Sequence, residues 1–283
     1  MPSMLTHYLH GKCILNSTET LKIFSEDETS AFYLGTQGPD FFFTHRYLPW
    51  MKGESVKEIG HKIHKLDPKE LIMLMQELAF ESKSKYLCAY YLGFLCHYSL
   101  DSTCHPYINF MADKLSDDIQ NSGVRHAEIE SALDFLLTKK YEDDITLNKI
   151  VVYNEVLFKE LSVMYVNIIE NLLSIKLNEN TIFECLEDYE EVLGWLNDTT
   201  GIKMFLVSLF ERNKPHNISS HIIPKGKLKE DYANENQENW LKNDEVYNNS
   251  FYDLFDQSIK KANKLIVGFN ESKFIEITNN DSF

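Results

Sequence analysis

The chain lacks the cysteine pattern of a disulfide-stapled domain: Cys13, Cys88, Cys96, Cys104 and Cys185 are odd in number and form no C-x-x-C pair. That speaks against a disulfide framework and suits a reducing compartment, with the thiols serving as small buried hydrophobes. Basic residues are scarce: 28 Lys and Arg stand against 43 Asp and Glu, a formal net charge of −15 at pH 7. A nucleic-acid binder usually displays a basic face, so no stable nucleic-acid partner is expected. No stretch approaches the ~20 apolar residues that a membrane-spanning helix needs. The opening MPSMLTHYLHGK carries neither a basic n-region nor an apolar h-region, which makes a cytoplasmic protein the expectation. Strand signals, internal repeats, heptads and low-complexity tracts are also missing.

What is present is helical. A content of 43% hydrophobic residues over 283 positions is ample for a packed core. Apolar positions three and four apart predict helices over residues 5–24, 54–66, 68–80, 85–105, 107–121, 124–140, 152–175, 181–195, 202–212 and 250–267. Asn16 and Ser17 are a candidate interruption of the first, Asp67 and Pro68 form a cap and first-turn pair for the third, and Pro106 is expected to end the fifth at His105. Residues 213–249, polar and broken by Pro215, Pro224 and Gly226, read as a long loop, either mobile or covering the site. The expectation is an all-α, multi-helix bundle over 1–283 as one domain, with a metal-binding part over about residues 1–140 and a helical C-terminal part beyond.

Eight of the ten histidines lie in the first 126 residues, so the chemistry is expected there. GFLCHYSLDSTCHPY, residues 93–107, places His97, Asp101 and His105 four apart on one helix face. RHAEIE repeats the spacing with His126 and Glu130. A single His-x-x-x-Asp is more often a hydrogen-bonded pair. Here the flanking Leu92, Phe94, Leu95, Cys96, Tyr98 and Leu100 bury the helix, and a buried Asp needs a partner or a cation. Facing imidazoles and carboxylates on neighbouring helices are how helical bundles hold metals. Upstream, His7 lies near the start of the first helix. Asp40 follows Gly35, Gly38 and Pro39 on a turn, where it is either a ligand or a turn-forming acid, and His61 and His64 stand three apart, of which only one need function.

Across residues 1–140 the chain resembles the zinc-dependent phospholipase C family, all-helical proteins related to zinc-dependent single-strand nucleases. The resemblance rests on Thr6-His7, LGTQGPDFFF around Asp40, IGHKIH, GFLCHYSLDSTCHPY and the His126 to Glu130 pair. It implies a cleft holding two to three Zn²⁺ ions. Asp40, His64, His97 and Asp101 would hold one. Asp101 would bridge to a second bound also by His7, and His105, His126 and Glu130 would hold a third. Secreted members complete the second site with the backbone of an amino-terminal Trp and have a longer gap between the residues matching Asp101 and His105; here position 1 is Met and position 2 is Pro. Nitrogen and oxygen ligands without thiolate fit zinc, as they would manganese or iron.

The function implied is hydrolysis of phosphate esters, foremost phospholipase C-like phosphodiester cleavage by a metal-activated water, with Asp40 as proton acceptor as well as ligand. A phospholipid or other phosphate ester would be the substrate, with transient contact to a membrane surface. Phe41, Phe42, Phe43, Tyr47 and Trp50 would either wall an acyl site or simply pack in the core. The alternatives are a zinc-dependent nuclease, which would need a basic track, and a helical binding protein in which metal only stabilises the fold.

Overall fold

Helix boundaries follow local capping chemistry in this computed structural model, which describes residues 4–268 and 271–283. The first helix, α1 (Met4–Ser17), stops at the Asn16-Ser17 interruption, and a 3-10 turn (Glu19–Leu21) follows instead of a helix continuing to residue 24. Ser25 opens α2 (Glu26–Thr36) with a reciprocal capping box to Glu28. After a 3-10 turn (Asp40–Thr44) come α3 (Lys57–Ile63) and α4 (Pro68–Glu81), the latter capped by Asp67 with Pro68 in its first turn. Asn121, Asn154 and Asn178 cap α6 (Ser122–Lys140), α7 (Glu155–Leu173) and α8 (Glu179–Leu196) in the same way.

The organising element is α5 (Lys85–Leu115), which packs against α1, α2, α4, α6, α7 and α10 (Phe251–Gly268). Its crossing with α2 is made by glycines. A Cβ on Gly93 would lie 2.1 Å from the Phe32 carbonyl oxygen, and one on Gly35 would lie 2.1 Å from that of Tyr90, so the two backbones touch where any side chain would separate them. Pro106 does not end this helix as expected. It sits inside α5, which runs on for nine residues to Leu115. Tyr107, Ile108, Met111 and Ala112 beyond it are buried, so packing outweighs the hydrogen bond the proline removes.

The remaining differences lie in the second half. Residues 213–249 hold a 3-10 turn (Ser219–His221) and an antiparallel hairpin, β1 (Trp240–Lys242) with β2 (Glu245–Tyr247), where no strand was expected. Asn243 and Asp244 both take positive φ (50° and 64°), the two-residue turn that matches strand twist. Helix α9 (Ile202–Phe210) precedes this region, and α11 (Glu271–Thr278), not anticipated, follows α10. The architecture is all-α, 65% helical, with the hairpin its one sheet among the described residues. No described helix is long and apolar enough to cross a membrane. The question of Met1 as a ligand falls outside the described residues.

Candidate metal centre

α5 aims His97, Asp101 and His105 at the interior, and four other segments bring partners to them: α1, the 3-10 turn Asp40–Thr44, the end of α3 and α6. His7 arrives on α1, whose first turn is clasped by α6. Asp134 accepts hydrogen bonds from Leu5 N–H (3.1 Å), Thr6 N–H (2.7 Å) and the Thr6 hydroxyl (2.8 Å). The His7 and His97 rings then stack with centroids 4.6 Å apart. Asp40 starts the 3-10 turn after α2, beside Gly38. That glycine has φ +58°, and a Cβ there would lie 2.3 Å from His97 Cδ2, so the turn fits against the imidazole only without a side chain.

Ligand-type atoms converge in three groups, each within 4.8 Å: His7, His97 and Asp101; Asp40, His64 and His97; and His105, His126 and Glu130. All eight residues singled out from the sequence are thus brought together. His97 is common to two groups, and Asp101 links all three: Oδ1 lies 3.2 Å from His7 Nε2, while Oδ2 lies 3.3 Å from His97 Nε2 and 3.8 Å from His105 Nδ1. His64, not His61, faces the site, its Nε2 3.1 Å from Asp40 Oδ1. His61 is exposed and packs its ring on Phe43 (4.8 Å). His10, also fully buried, stands apart with its ring edge-on to Phe255 (5.5 Å).

Two imidazoles are oriented from behind. His64 Nδ1 is 2.8 Å from the Gly60 carbonyl oxygen, and His126 Nδ1 is 3.0 Å from Asn109 Oδ1, which leaves each Nε2 facing a carboxylate. Such outer partners fix ring orientation at metal sites. Asn109 and Asp134 were missed in the sequence. The signal for Asp134 was its position four residues after Glu130, on the same helix face.

The electrostatics couple the buried carboxylates to the imidazoles around them. Burial, the largest influence on Asp101, would raise its carboxyl, yet His105, His97 and His7 hold it well below the usual range. Burial likewise opposes but does not prevent the lowering of Glu130 by His126 and His105. It would lower His105 too, but Asp101 and Glu130 push that imidazole up to about 9. His97 is the exception, brought down to about 4 by burial against the pull of Asp101 and Asp40. His7 Nδ1, Asp40 Oδ2, both nitrogens of His97, Asp101 Oδ2 and Glu130 Oε2 are buried without a hydrogen-bond partner. Buried polar atoms are ordinarily paired, so this concentration of unpaired lone-pair donors fits divalent ions. Binding them would displace protons from the imidazoles.

A family model described as zinc dependent phospholipase C matches residues 6–175. The chain belongs to this family. No curated protein and no solved structure matches it. All eight candidate residues fall within the matched span, and their nitrogen and oxygen donors suit the zinc for which the family is described. Membership supports a zinc-dependent, phospholipase-type hydrolase in general terms.

The five aromatics read as either an acyl wall or core packing divide: Phe41 and Phe42 are core, Phe43 and Tyr47 are half-buried, and Trp50 is exposed. Phe41 and Phe42 are fully buried against Tyr165 of α7 (5.1 and 5.6 Å between centroids). Phe43 alone of the three reaches the site, 5.3 Å from the His64 ring. The site also receives cover from outside the matched span. Phe283 packs on His64 (5.5 Å), Phe94 (5.9 Å) and His97 (6.0 Å), and the Tyr98 hydroxyl donates to the Asp281 carbonyl oxygen (2.7 Å). Chemistry-bearing residues lie in the first half, but the second half closes over them.

Proposed function

We propose that the protein is a zinc-dependent hydrolase of phosphate esters with phospholipase C-like phosphodiester cleavage, holding two to three ions on His7, Asp40, His64, His97, Asp101, His105, His126 and Glu130. The observation that carries this reading is the meeting of three ligand groups around the buried Asp101, whose two oxygens face imidazoles of all three. Zinc bound there would lower the pKa of a water, orient phosphate oxygens and offset charge on the leaving oxygen. The chain's own residues do the rest. His64 holds Asp40 through Oδ1, and the buried Oδ2, without a hydrogen-bond partner and 3.8 Å from His97 Nδ1, would accept the proton released as water attacks phosphorus. Gly60 and Asn109 keep His64 and His126 turned inward, and Phe43, Phe94 and Phe283 keep bulk water from the rings they cover.

The test compares zinc-loaded protein on a phosphatidylcholine dispersion, a generic phosphodiester and single-stranded DNA. Faster cleavage of the lipid or generic diester is expected, since the −15 charge disfavours a polynucleotide track. Preferential DNA cleavage would make the protein a nuclease, and zinc binding without turnover on any substrate would leave metal a stabilising role only.

A further inference from the structure

Helix α9 is apolar and uncovered. Seven of the nine residues in IKMFLVSLF are hydrophobic, yet none is buried, and Phe205 and Phe210 stand 62% and 80% exposed. A helix apolar all round normally sits in a core, and clustered exposed apolar side chains mark an interaction surface. The helix is not loosely attached. Asp198 accepts from Gly201 N–H (2.8 Å) and Met204 N–H (2.9 Å), and Glu211 accepts from Ile218 N–H (2.8 Å) and Ser219 N–H (3.0 Å). Carboxylates at both ends fix the helix, with Met204 and Val207 packed against the core and Ile202, Phe205, Leu206, Leu209 and Phe210 outward.

The charge around α9 reverses that of the chain. Residues 203–229 contain six of the 28 Lys and Arg but only one of the 43 acids. Arg212, Lys214, Lys225, Lys227 and Lys229 are exposed, and Lys225 lies beside Gly201 at the start of the helix. Trp50, 53% exposed, continues the apolar surface edge-on to Trp195 (6.0 Å), over which Lys203 sits at 5.8 Å. An apolar helix flanked by lysines, with an interfacial tryptophan beside it, is matched to an anionic lipid surface. The location is apt. α9 packs on the 3-10 turn Ser219–His221, and Ser220 there accepts a hydrogen bond from the hydroxyl of Ser131 (2.7 Å), next to Glu130.

We propose that α9 docks the protein on bilayers containing anionic phospholipids, beside the His105, His126 and Glu130 group. This goes beyond the hydrolytic proposal, because docking requires no turnover and is read without any product. Full-length protein is mixed with vesicles of phosphatidylcholine, alone or with phosphatidylserine, and binding is followed by co-sedimentation and tryptophan emission. Binding to the mixed vesicles is expected, weakening as salt is raised, with a blue shift of emission. Replacing two interfacial aromatics, as in Phe205→Ser with Phe210→Ser, should weaken binding roughly 100-fold. Ile23→Ser, which removes an 85% exposed side chain elsewhere, should not weaken it. All these side chains are exposed, so unchanged melting temperatures verify folding. Failure of the native protein to bind, equal binding by the double variant, or indifference to phosphatidylserine would overturn the proposal. So would a dimer that the double variant dissolves and that ignores vesicles, since α9 would then be a contact between copies.

Discussion

Asp101 stands where the ligand groups meet, and its two oxygens face different partners: Oδ1 meets His7, while Oδ2 meets His97 and His105. Under the proposed function, a carboxylate in this position would serve two ions, whereas His7 would serve one. Asp101→Ala is therefore expected to remove two zinc ions per chain and His7→Ala one, counted by elemental analysis before and after zinc repletion. If Asp101 only oriented His97, its loss would lower affinity by something like 10-fold to 100-fold with the stoichiometry restored by excess zinc. Equal single-ion losses from the two variants would reject the bridging role.

At the scale of elements, the site depends on α6 holding the first turn of α1. Asp134 makes that clasp through its three hydrogen bonds to Leu5 and Thr6. Burial pushes its carboxyl up to about 7, although those hydrogen bonds pull the other way. A folded-state value above the unfolded one means that the protonated form stabilises the fold. That contribution is complete below the ordinary carboxylate range, near pH 4, and is lost as pH rises through about 7. Asp134→Asn cannot titrate. In chelated protein, the stability of the native chain relative to this variant should therefore fall between pH 4 and 7, by up to about 4 kcal/mol. A difference in melting temperature that stays flat across that window would contradict the assignment.

These elements also show what a sequence can disclose. His97 with Asp101 and His126 with Glu130 are four apart on single helices, so helical geometry alone pairs them. Asp40 with His64, and Asp134 with Thr6, are brought together only by the packing of separate segments. Family resemblance supplies the first of these; for the second, the spacing from Glu130 places Asp134 on the inward face but does not name Thr6 as its partner. Pro106 breaks the local rule about proline because the buried residues on both sides of it hold α5 together. The Asn243-Asp244 turn had a local signature, but its strands are three residues each, too short for alternation to register. Phe41 and Phe42 could be placed in the core only once the direction of the 3-10 turn was known.

For the whole molecule, we infer one domain, since the two clusters of buried side chains, one reaching α11 and the other holding α6, both draw residues from α1, α5 and α10. The family match ends at residue 175, yet α10 packs along α5, Lys261 donates to Ser102 (2.8 Å), and Phe283 covers His97. The second half thus encloses a centre whose ligands all come from the first. Under the proposed function, these residues hold zinc and zinc drives phosphodiester cleavage. One measurement addresses both parts: chelated protein is titrated with zinc while hydrolysis of a phosphodiester is followed. The expected result is activity that rises with added zinc and saturates at two to three equivalents per chain. Saturation below one equivalent, or full zinc uptake with no hydrolysis, would contradict it.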